Sequence, residues 1–434
     1  MLTNNNLNNR ITFRCLLTLC LVLSTVTSYN SSAATLFGPE QKLLATDNDN
    51  SDWFGRAVDV DGDFAVIGAP GDDEAGTNAG AAYVFVRQGG TWVEMEKLTA
   101  GLDADNFDEF GYSVAIERDL IAVGARWDDE AGADAGAVYV YEWDGIDWLL
   151  NAKLLPNDIN NAAYAYGTAV DIGIAIPAAG GVELTNIAVG APLADSSQGV
   201  VFMVQRNGAI WETLGRFSDS DDVGLNDKGE FGSSVEIKGD VLIAGAPMDD
   251  QFGNNTGAAY LFGRTNINNI WSETTAIYPN PALAGDRFGF SVAVDEGIGV
   301  VGAPATGARP GRVFTYANTN QMFTAGGNGE EYGSSVAVDI SRKTMIVGAK
   351  RVEDGGPGGA NAGSVFILTQ DEFSLWQESG EIKASDAAIN KEFGESVATS
   401  DGVAIIGGAE EDAFTSGAAY IYTDLIFKNG FDTP

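Results

Sequence analysis

The chain has 434 residues, among them 61 Asp and Glu, 24 Lys and Arg, 55 Gly, two Cys and no His. Its formal net charge of -37 opposes nucleic acid binding, because phosphate contacts need Lys and Arg to displace counterions. Without His, the chain cannot form a Ser-His-Asp triad, a His-ligated zinc site or a His proton relay. Any catalysis would run on carboxylates, Lys, Tyr or a bound cation.

The first 34 residues have the pattern of a secretory signal peptide. Two Arg and no acid precede the short apolar run Cys15 to Val26, and small residues follow as far as Ala34. A lipid anchor on Cys20 is the alternative, although Leu19 stands where a small residue would be wanted. Both cysteines lie in this segment, so we expect a mature chain without thiols or disulfides. We predict an exported protein, extracellular or at the cell surface with the periplasm as the alternative, and no transmembrane segment in the mature chain.

Two short motifs recur seven times along the remaining chain. An aromatic-Gly couple stands at Phe54-Gly55, Phe110-Gly111, Tyr166-Gly167, Phe231-Gly232, Phe288-Gly289, Tyr332-Gly333 and Phe393-Gly394. Each is followed by a Gly-Ala-Pro-like step, at Gly68-Ala69-Pro70, Gly124-Ala125-Arg126, Gly190-Ala191-Pro192, Gly245-Ala246-Pro247, Gly302-Ala303-Pro304, Gly348-Ala349-Lys350 and Gly407-Gly408-Ala409. The chain is therefore built from seven copies of one unit, and we assign the aromatic of each couple to packing between neighbouring units.

Each unit has the pattern of four short strands. Alternating or β-branched stretches surround the two motifs, and tight turns such as Asp61-Gly62 join the first and second strands. A Gly followed by small residues and an aromatic, as in Gly80 to Tyr83, begins the third strand, and Trp92 to Leu98 is typical of the fourth. Turns of the Asp144-Gly145 type are predicted between the third and fourth strands. Seven four-stranded antiparallel units predict an all-β fold, a seven-bladed β-propeller.

The two ends of the predicted propeller complement each other. Unit seven ends at Tyr422 after three strands, whereas Gln41 to Ala45 matches the fourth strands of other units. We predict that this N-terminal strand joins the last blade, which removes an open sheet edge. The predicted organisation is a signal peptide at 1–34, one propeller at 35–424 with units starting near 54, 110, 166, 231, 288, 332 and 393, and a tail at 425–434.

The paired motifs resemble the FG-GAP repeats of the integrin α-subunit head and of bacterial exported proteins. The tight first hairpins and the Trp before Lys-Leu resemble the bacterial subgroup more closely. The resemblance implies a seven-bladed propeller and a role in adhesion or protein recognition. Some integrin blades also carry a calcium cage in the first hairpin, but the hairpin of Asp59, Asp61 and Asp63 is too tight to form one.

Acidic side chains accumulate on the loops after the second strands and between units, which share one face in a meander blade. The candidate binding surface consists of three pairs of these acids and a neighbouring aromatic: Asp72, Asp73, Asp128, Asp129, Asp249, Asp250 and Trp127. The structural interpretation is that the acids are solvated turn residues. The functional one is a docking surface or a set of weak calcium sites. No catalytic, cofactor-binding or metal-ligating residue is predicted.

These observations predict an exported, non-enzymatic β-propeller that mediates protein or glycan recognition or adhesion through an acidic loop face. Its partner would be a protein or a glycan and not a nucleic acid, and calcium at weak loop sites is the one cofactor under consideration. A carbohydrate-active hydrolase or lyase that uses carboxylates is one alternative. A calcium-stabilised structural spacer is the other.

Overall fold

A computed structural model of the chain describes residues 38–47, 49–157, 163–175, 183–219, 228–265, 270–306, 309–316, 320–325, 329–352, 361–409 and 416–423. The signal peptide and the tail predicted from the sequence lie outside these ranges. Within them, no helix has the length and apolar character needed to span a bilayer.

The described residues form seven four-stranded antiparallel sheets, which confirms the seven-bladed β-propeller. The strands are β1 (Glu40–Leu43), β2 (Ala57–Asp61), β3 (Phe64–Ala69), β4 (Ala81–Gln88), β5 (Thr91–Leu98), β6 (Phe110–Glu117), β7 (Leu120–Ala125), β8 (Ala137–Trp143), β9 (Trp148–Leu154), β10 (Ala169–Ala175), β11 (Leu184–Ala191), β12 (Val200–Asn207), β13 (Ile210–Phe217), β14 (Ser234–Lys238), β15 (Val241–Ala246), β16 (Ala258–Thr265), β17 (Ile270–Ile277), β18 (Ser291–Asp295), β19 (Ile298–Ala303), β20 (Arg312–Tyr316), β21 (Gln321–Phe323), β22 (Tyr332–Asp339), β23 (Thr344–Ala349), β24 (Ser364–Gln370), β25 (Trp376–Ile382), β26 (Ser396–Ser400), β27 (Val403–Gly408) and β28 (Ala418–Tyr422). Helical structure in the described ranges is limited to a 3-10 turn at Gly101–Asp103 and the short helix α1 (Ala194–Ser197).

Blades 1 to 6 are consecutive meanders that begin with β2, β6, β10, β14, β18 and β22, and blade 7 contains β26 to β28. Strand β1 completes blade 7 by pairing antiparallel with β28, which places Lys42 opposite Tyr420 and Leu43 opposite Ala419. The predicted closure by the N-terminal strand is therefore confirmed. It joins residues near the two ends of the described chain in one sheet.

Neighbouring blades approach each other through two glycines. A Cβ atom placed on Gly68 would lie 1.9 Å from the carbonyl oxygen of Gly111 in the next blade, far inside van der Waals contact. The same contact recurs at all seven boundaries, between Gly68 and Gly111, Gly124 and Gly167, Gly190 and Gly232, Gly245 and Gly289, Gly302 and Gly333, Gly348 and Gly394, and Gly407 and Gly55. The two sequence motifs occur together because each provides one side of this contact.

The aromatic residue of each couple is buried beside its glycine, as the sequence predicts. Phe54, with no exposed surface, packs in one cluster with Ile405 and Ile421 of blade 7 and Ile67 of blade 1. Its ring meets the ring of Tyr83 edge-on with centroids 5.5 Å apart. Equivalent edge-on pairs are present in the other six blades, with centroid distances of 5.1 to 5.3 Å. These clusters form the core between blades.

The outer strands differ between blades, and one of their connections departs from the sequence prediction. Between β8 and β9 the connection has four residues, because the Asp144 carboxylate accepts the N–H groups of Ile146 and Asp147 and widens the turn. In blade 5 the fourth strand has only three residues, Gln321–Phe323, and this is the unit that lacks the Trp signal. Five other blades carry a β-bulge between their third and fourth strands, which twists the exposed edge.

The glycine contact predicts a strong penalty for one methyl group. In Gly245→Ala the new Cβ would lie 1.9 Å from the Gly289 carbonyl oxygen, so we expect the free energy of unfolding to fall by about 1–3 kcal/mol. The matched control is Gly299→Ala, also buried in a second strand, where the nearest atom is 3.5 Å away in the Ile243 side chain. Urea unfolding would compare the two, and equal losses would contradict the boundary role of the glycine.

Candidate functional site

The innermost strands of the seven blades surround an axial cavity. Each contributes a valine four residues after the aromatic of its couple, and the ring consists of Val58, Val114, Val170, Val235, Val292, Val336 and Val397. These valines line two cavities, one on each side of the ring. We call them the upper chamber, of about 510 Å³, and the lower chamber, of about 490 Å³.

The upper chamber opens on the face formed by the second-to-third loops and the blade-to-blade loops, here called the loop face. Loops of neighbouring blades are joined there by backbone hydrogen bonds, from the N–H of Phe107 to the oxygen of Thr77 at 2.7 Å and from Gly285 to Asn254 at 2.8 Å. The lower chamber opens on the hairpin face, which carries the turns between first and second strands. The predicted sharing of one face by the two loop types is thus present.

The first aspartate of each predicted pair is buried. Each is 2–3% exposed and accepts a hydrogen bond from a tyrosine eleven residues later: Asp72 from Tyr83 at 2.8 Å, Asp128 from Tyr139 at 2.8 Å and Asp249 from Tyr260 at 3.0 Å. Lys97 and Lys153 complete two of these clusters, with Nζ 2.8 Å from Asp72 and 2.9 Å from Asp128. These three carboxylates therefore fix the start of the loop instead of standing in solvent.

The second aspartate of each pair is exposed and shapes the loop. Asp73, Asp129 and Asp250 each accept the backbone N–H of the residue five positions later, at 2.6, 2.7 and 2.6 Å. The hydrogen bond occupies one oxygen of each carboxylate, and the charged group remains exposed to solvent on the loop face. Ligand binding by the six aspartates stays a prediction. In each pair, the exposed aspartate is the one that a ligand on the loop face could contact.

Trp127 lies half-buried at the wall of the upper chamber, together with Arg126 and Tyr112. The guanidinium carbon of Arg126 lies 3.5 Å from the centre of the Tyr112 ring and 4.8 Å from that of Trp127. Arg126 Nε donates to the Glu109 carboxylate at 2.7 Å. The aromatic predicted from the sequence therefore belongs to a cation–aromatic cluster within a cavity.

A second charged cluster stands beside the first. Arg56 Nη2 donates to the Tyr112 hydroxyl at 2.7 Å, and Arg56 Nη1 donates to Glu395 at 2.9 Å. The other oxygen of Glu395 is 2.7 Å from Lys350 Nζ. Burial opposes ionisation of Glu395, but Arg56 and Lys350 together hold the pKa of this carboxyl below its usual value. Three basic side chains thus line one side of the upper chamber of a strongly acidic protein.

The charged side of the upper chamber comes from positions at which the seven copies differ. The third residue of the Gly-Ala-Pro step is Pro in four units, whereas units 2 and 6 have Arg126 and Lys350 there. The second residue after the aromatic also varies, and it places Arg56, Tyr112 and Glu395 at the cavity. Sequence reasoning missed Arg56, Tyr112, Lys350 and Glu395 because it followed what the copies share. A position-by-position comparison of the copies would have found them.

The remaining wall of the upper chamber, from blades 3 to 5, is largely apolar. Leu193, Met248 and Phe290 line it, each partly exposed to the cavity. Glu230 of blade 4 is the acid on this side, and burial raises its pKa. The chamber is therefore two-sided, with charge and aromatic rings facing an apolar surface.

The lower chamber is acidic, and its carboxylates join neighbouring blades. Asp59 accepts the backbone N–H of Ile116 in the next blade at 2.7 Å. Further carboxylates do the same at other boundaries: Asp171 with Ile237, Glu236 with Val294 and Asp295 with Ile340, at 2.7 to 3.0 Å. The innermost strand is the inner edge of each sheet, so its N–H groups need such partners.

These carboxyl groups touch the chamber but are surrounded by protein, so ionisation is costly for them. Loss of hydration and the nearby Asp171 raise the pKa of Asp59 to about 8. Burial likewise raises the pKa of Asp171 and of Glu236. Among the described residues, no group of three or more acidic side chains is placed to hold a metal ion. The cluster therefore acts in this structure as a set of backbone hydrogen-bond acceptors.

Comparison with known proteins gives one family. Five segments match the model of the FG-GAP repeat, at residues 37–85, 92–141, 218–262, 271–316 and 376–422, together more than half of the chain. Four of them start before or within a fourth strand and end in the third strand of the following blade. No curated protein matches. Among solved structures, the chain is similar to Saccharomyces cerevisiae Sqt1, at 10% identity over 86% of each chain with a TM-score of 0.44.

The lower chamber predicts that stability falls as the pH rises from 5 to 8. The folded protein holds a proton on Asp59 up to about pH 8, whereas the unfolded chain releases it near the ordinary value of 3.8. Thermal unfolding should therefore occur a few degrees higher at pH 5.5 than at pH 8. Asp59→Asn keeps an oxygen for only one of the two N–H groups that the side chain accepts, those of Val60 and Ile116, but it removes the titration, so the difference between the two pH values should shrink. The opposite slope, or an unchanged slope in the variant, would contradict the assignment.

Proposed function

The chain belongs to the FG-GAP repeat family, and on that premise we propose that it is an exported, non-enzymatic β-propeller that recognises a protein or a glycan through its loop face. FG-GAP propellers are generally protein-binding, and FG-GAP proteins are typically extracellular or on the cell surface. The signal-peptide pattern of residues 1–34 supports export of this chain.

The upper chamber is the observation that carries the proposal. It opens at the centre of the loop face and is lined by residues that differ between otherwise repeated units, including Arg126 and Lys350. Packing alone accounts for what the seven copies share, such as the glycine contacts. Side chains that break the repeat and face a cavity of about 510 Å³ are the ones free to serve a ligand.

The rim of the loop face also suits a macromolecular partner. Phe107 and Phe252, on loops of this face, are 57% and 56% exposed, and they lie among the exposed aspartates Asp73, Asp129 and Asp250. Exposed aromatic side chains are the usual anchors of protein interfaces. Acidic groups around them would steer a partner with basic residues and suppress binding of acidic ones. The loop acids are thus proposed to contribute selectivity more than binding energy.

A carboxylate-based hydrolase is the second candidate, because the pKa values of two acids of the upper chamber are shifted in opposite directions. The pKa of Glu395 is lowered by its cations, and burial raises the pKa of Glu230 on the other wall. Glycoside hydrolysis requires such a division between two carboxyl groups, together with a defined separation of the two across the scissile bond. Release of reducing ends from a polysaccharide panel, lost in Glu230→Gln, would favour this candidate. We expect no release by the parent protein.

Retrieval of partners from the native surroundings tests the loop face directly. Purified mature protein would be compared with the variant Asp73→Asn, Asp129→Asn, Asp250→Asn, in which each Asn keeps the oxygen that accepts the loop N–H. We expect this variant to retrieve the partner several-fold less efficiently, because three charges leave the loop face. The matched control is Asp63→Asn, Asp119→Asn, Glu296→Gln, which removes three exposed charges from the hairpin face. Equal retrieval by the loop-face variant and the parent would discard the acidic loops as the docking surface.

A further inference from the structure

Arg126 holds an unusual position among the basic side chains of the upper chamber. Its Nε is engaged by Glu109, and its plane lies over the Tyr112 ring. Within the described part of the chain, the terminal nitrogens Nη1 and Nη2 of Arg126 make no hydrogen bond, and the side chain is 24% exposed. A guanidinium fixed at one nitrogen and one face, with its two terminal nitrogens open to a cavity, is arranged to receive an oxygen pair.

Two further cations line the upper chamber beside Arg126. Lys350 and Arg56 both contact Glu395, and Lys350 Nζ also lies 3.9 Å from a Glu392 oxygen. The pKa of Lys350 is raised above its usual value by Glu395 despite burial, so the ammonium stays charged across the physiological range. The upper chamber thus contains three cations in a loop face that also carries exposed acids.

We propose that the upper chamber binds the side-chain carboxylate of an Asp or Glu presented by a partner protein, with Arg126 Nη1 and Nη2 donating to its two oxygens. The inference deepens the proposed function and rests on it for the existence of a partner. Trp127 lies over the same guanidinium, and Leu193, Met248 and Phe290 form the opposite wall, where the apolar neighbours of the acidic residue would pack.

The charge around the chamber favours a protein over an acidic glycan. A polyuronate carries a carboxylate on every sugar, so the exposed Asp73, Asp129 and Asp250 of the loop face would repel it. A protein loop can present one carboxylate among neutral or basic residues. The apolar wall also favours a protein partner, because it suits aliphatic side chains better than a hydroxyl-rich glycan chain.

A pair of short peptides tests the proposal. One is acetylated and amidated, with a central glutamate between two leucines and alanine at each end, and the other has glutamine in place of the glutamate. We expect saturable binding of the glutamate peptide to the mature protein, measured by calorimetry at fixed ionic strength, and binding of the glutamine peptide at least roughly tenfold weaker. Absence of glutamate-peptide binding, or equal binding of both, would overturn the proposal.

The repeat provides a matched variant for Arg126. Four units carry Pro at this position, so Arg126→Pro removes the cation while restoring the commonest residue of the repeat. We expect it to bind the glutamate peptide roughly tenfold or more weakly than the parent. A cooperative thermal unfolding transition would show that it folds, at a midpoint lowered by the loss of the ion pair with Glu109. Should this variant fail to fold, Arg126→Gln gives the same comparison. Full binding by a folded variant would overturn the role of Arg126.

Two further comparisons separate the possible failures. D-glucuronate titrated in the same way tests the other source of a carboxylate, and tighter binding of glucuronate than of the glutamate peptide would overturn the protein source. If the loop-face variant of the retrieval experiment loses the partner while the glutamate peptide does not bind, the inference fails and the proposed function stands. If the peptide binds through Arg126 and retrieval is unaffected by the loop-face variant, the acidic loops fail and the inference stands.

Discussion

The structure depends on the contact between two glycine backbones at each blade boundary. At distances that exclude any side chain, Gly68 of blade 1 meets Gly111 of blade 2, and the same contact recurs around the whole ring. It sets how closely one sheet approaches the next, and the buried aromatics beside it fill the wedge that remains. The width of the axial cavity, and so the space for both chambers, follows from this spacing.

The fold could be predicted from the sequence because the contact leaves a mark in every copy. Seven aromatic-Gly couples and seven Gly-Ala-Pro-like steps gave the number of blades, and the missing fourth strand of unit seven identified the segment around Leu43 as its replacement. These features are local and recur in every unit, so they can be recognised from the repeat pattern of the sequence alone. The four-residue turn at Asp144–Asp147 was not predicted, since it depends on a side-chain hydrogen bond in one unit.

The candidate site was only partly predictable. Trp127 was singled out and lines the upper chamber, but the burial of Asp72, Asp128 and Asp249 was not expected. A loop acid is ordinarily solvated, and here the third strand places a tyrosine hydroxyl against it. The constant spacing of eleven residues from each Asp to its Tyr was present in the sequence and could have indicated the pairing. Comparison of the copies would have marked Lys350 as an exception at its position, but not its partners. Only the closed ring, with blade 7 between blades 6 and 1, places Glu395 between Lys350 and Arg56.

The pairing of β1 with β28 has a consequence for how the molecule reaches its final form. A ribosome makes the outer strand of blade 7 first and the other three strands of that blade last, more than 350 residues later. Six sheets can assemble as they are synthesised, but the ring stays open until the whole polypeptide is available, and the long loop to be closed makes this step slow. A truncated product would therefore keep an unpaired strand at one side, which marks it as incomplete to any factor that binds exposed β-edges.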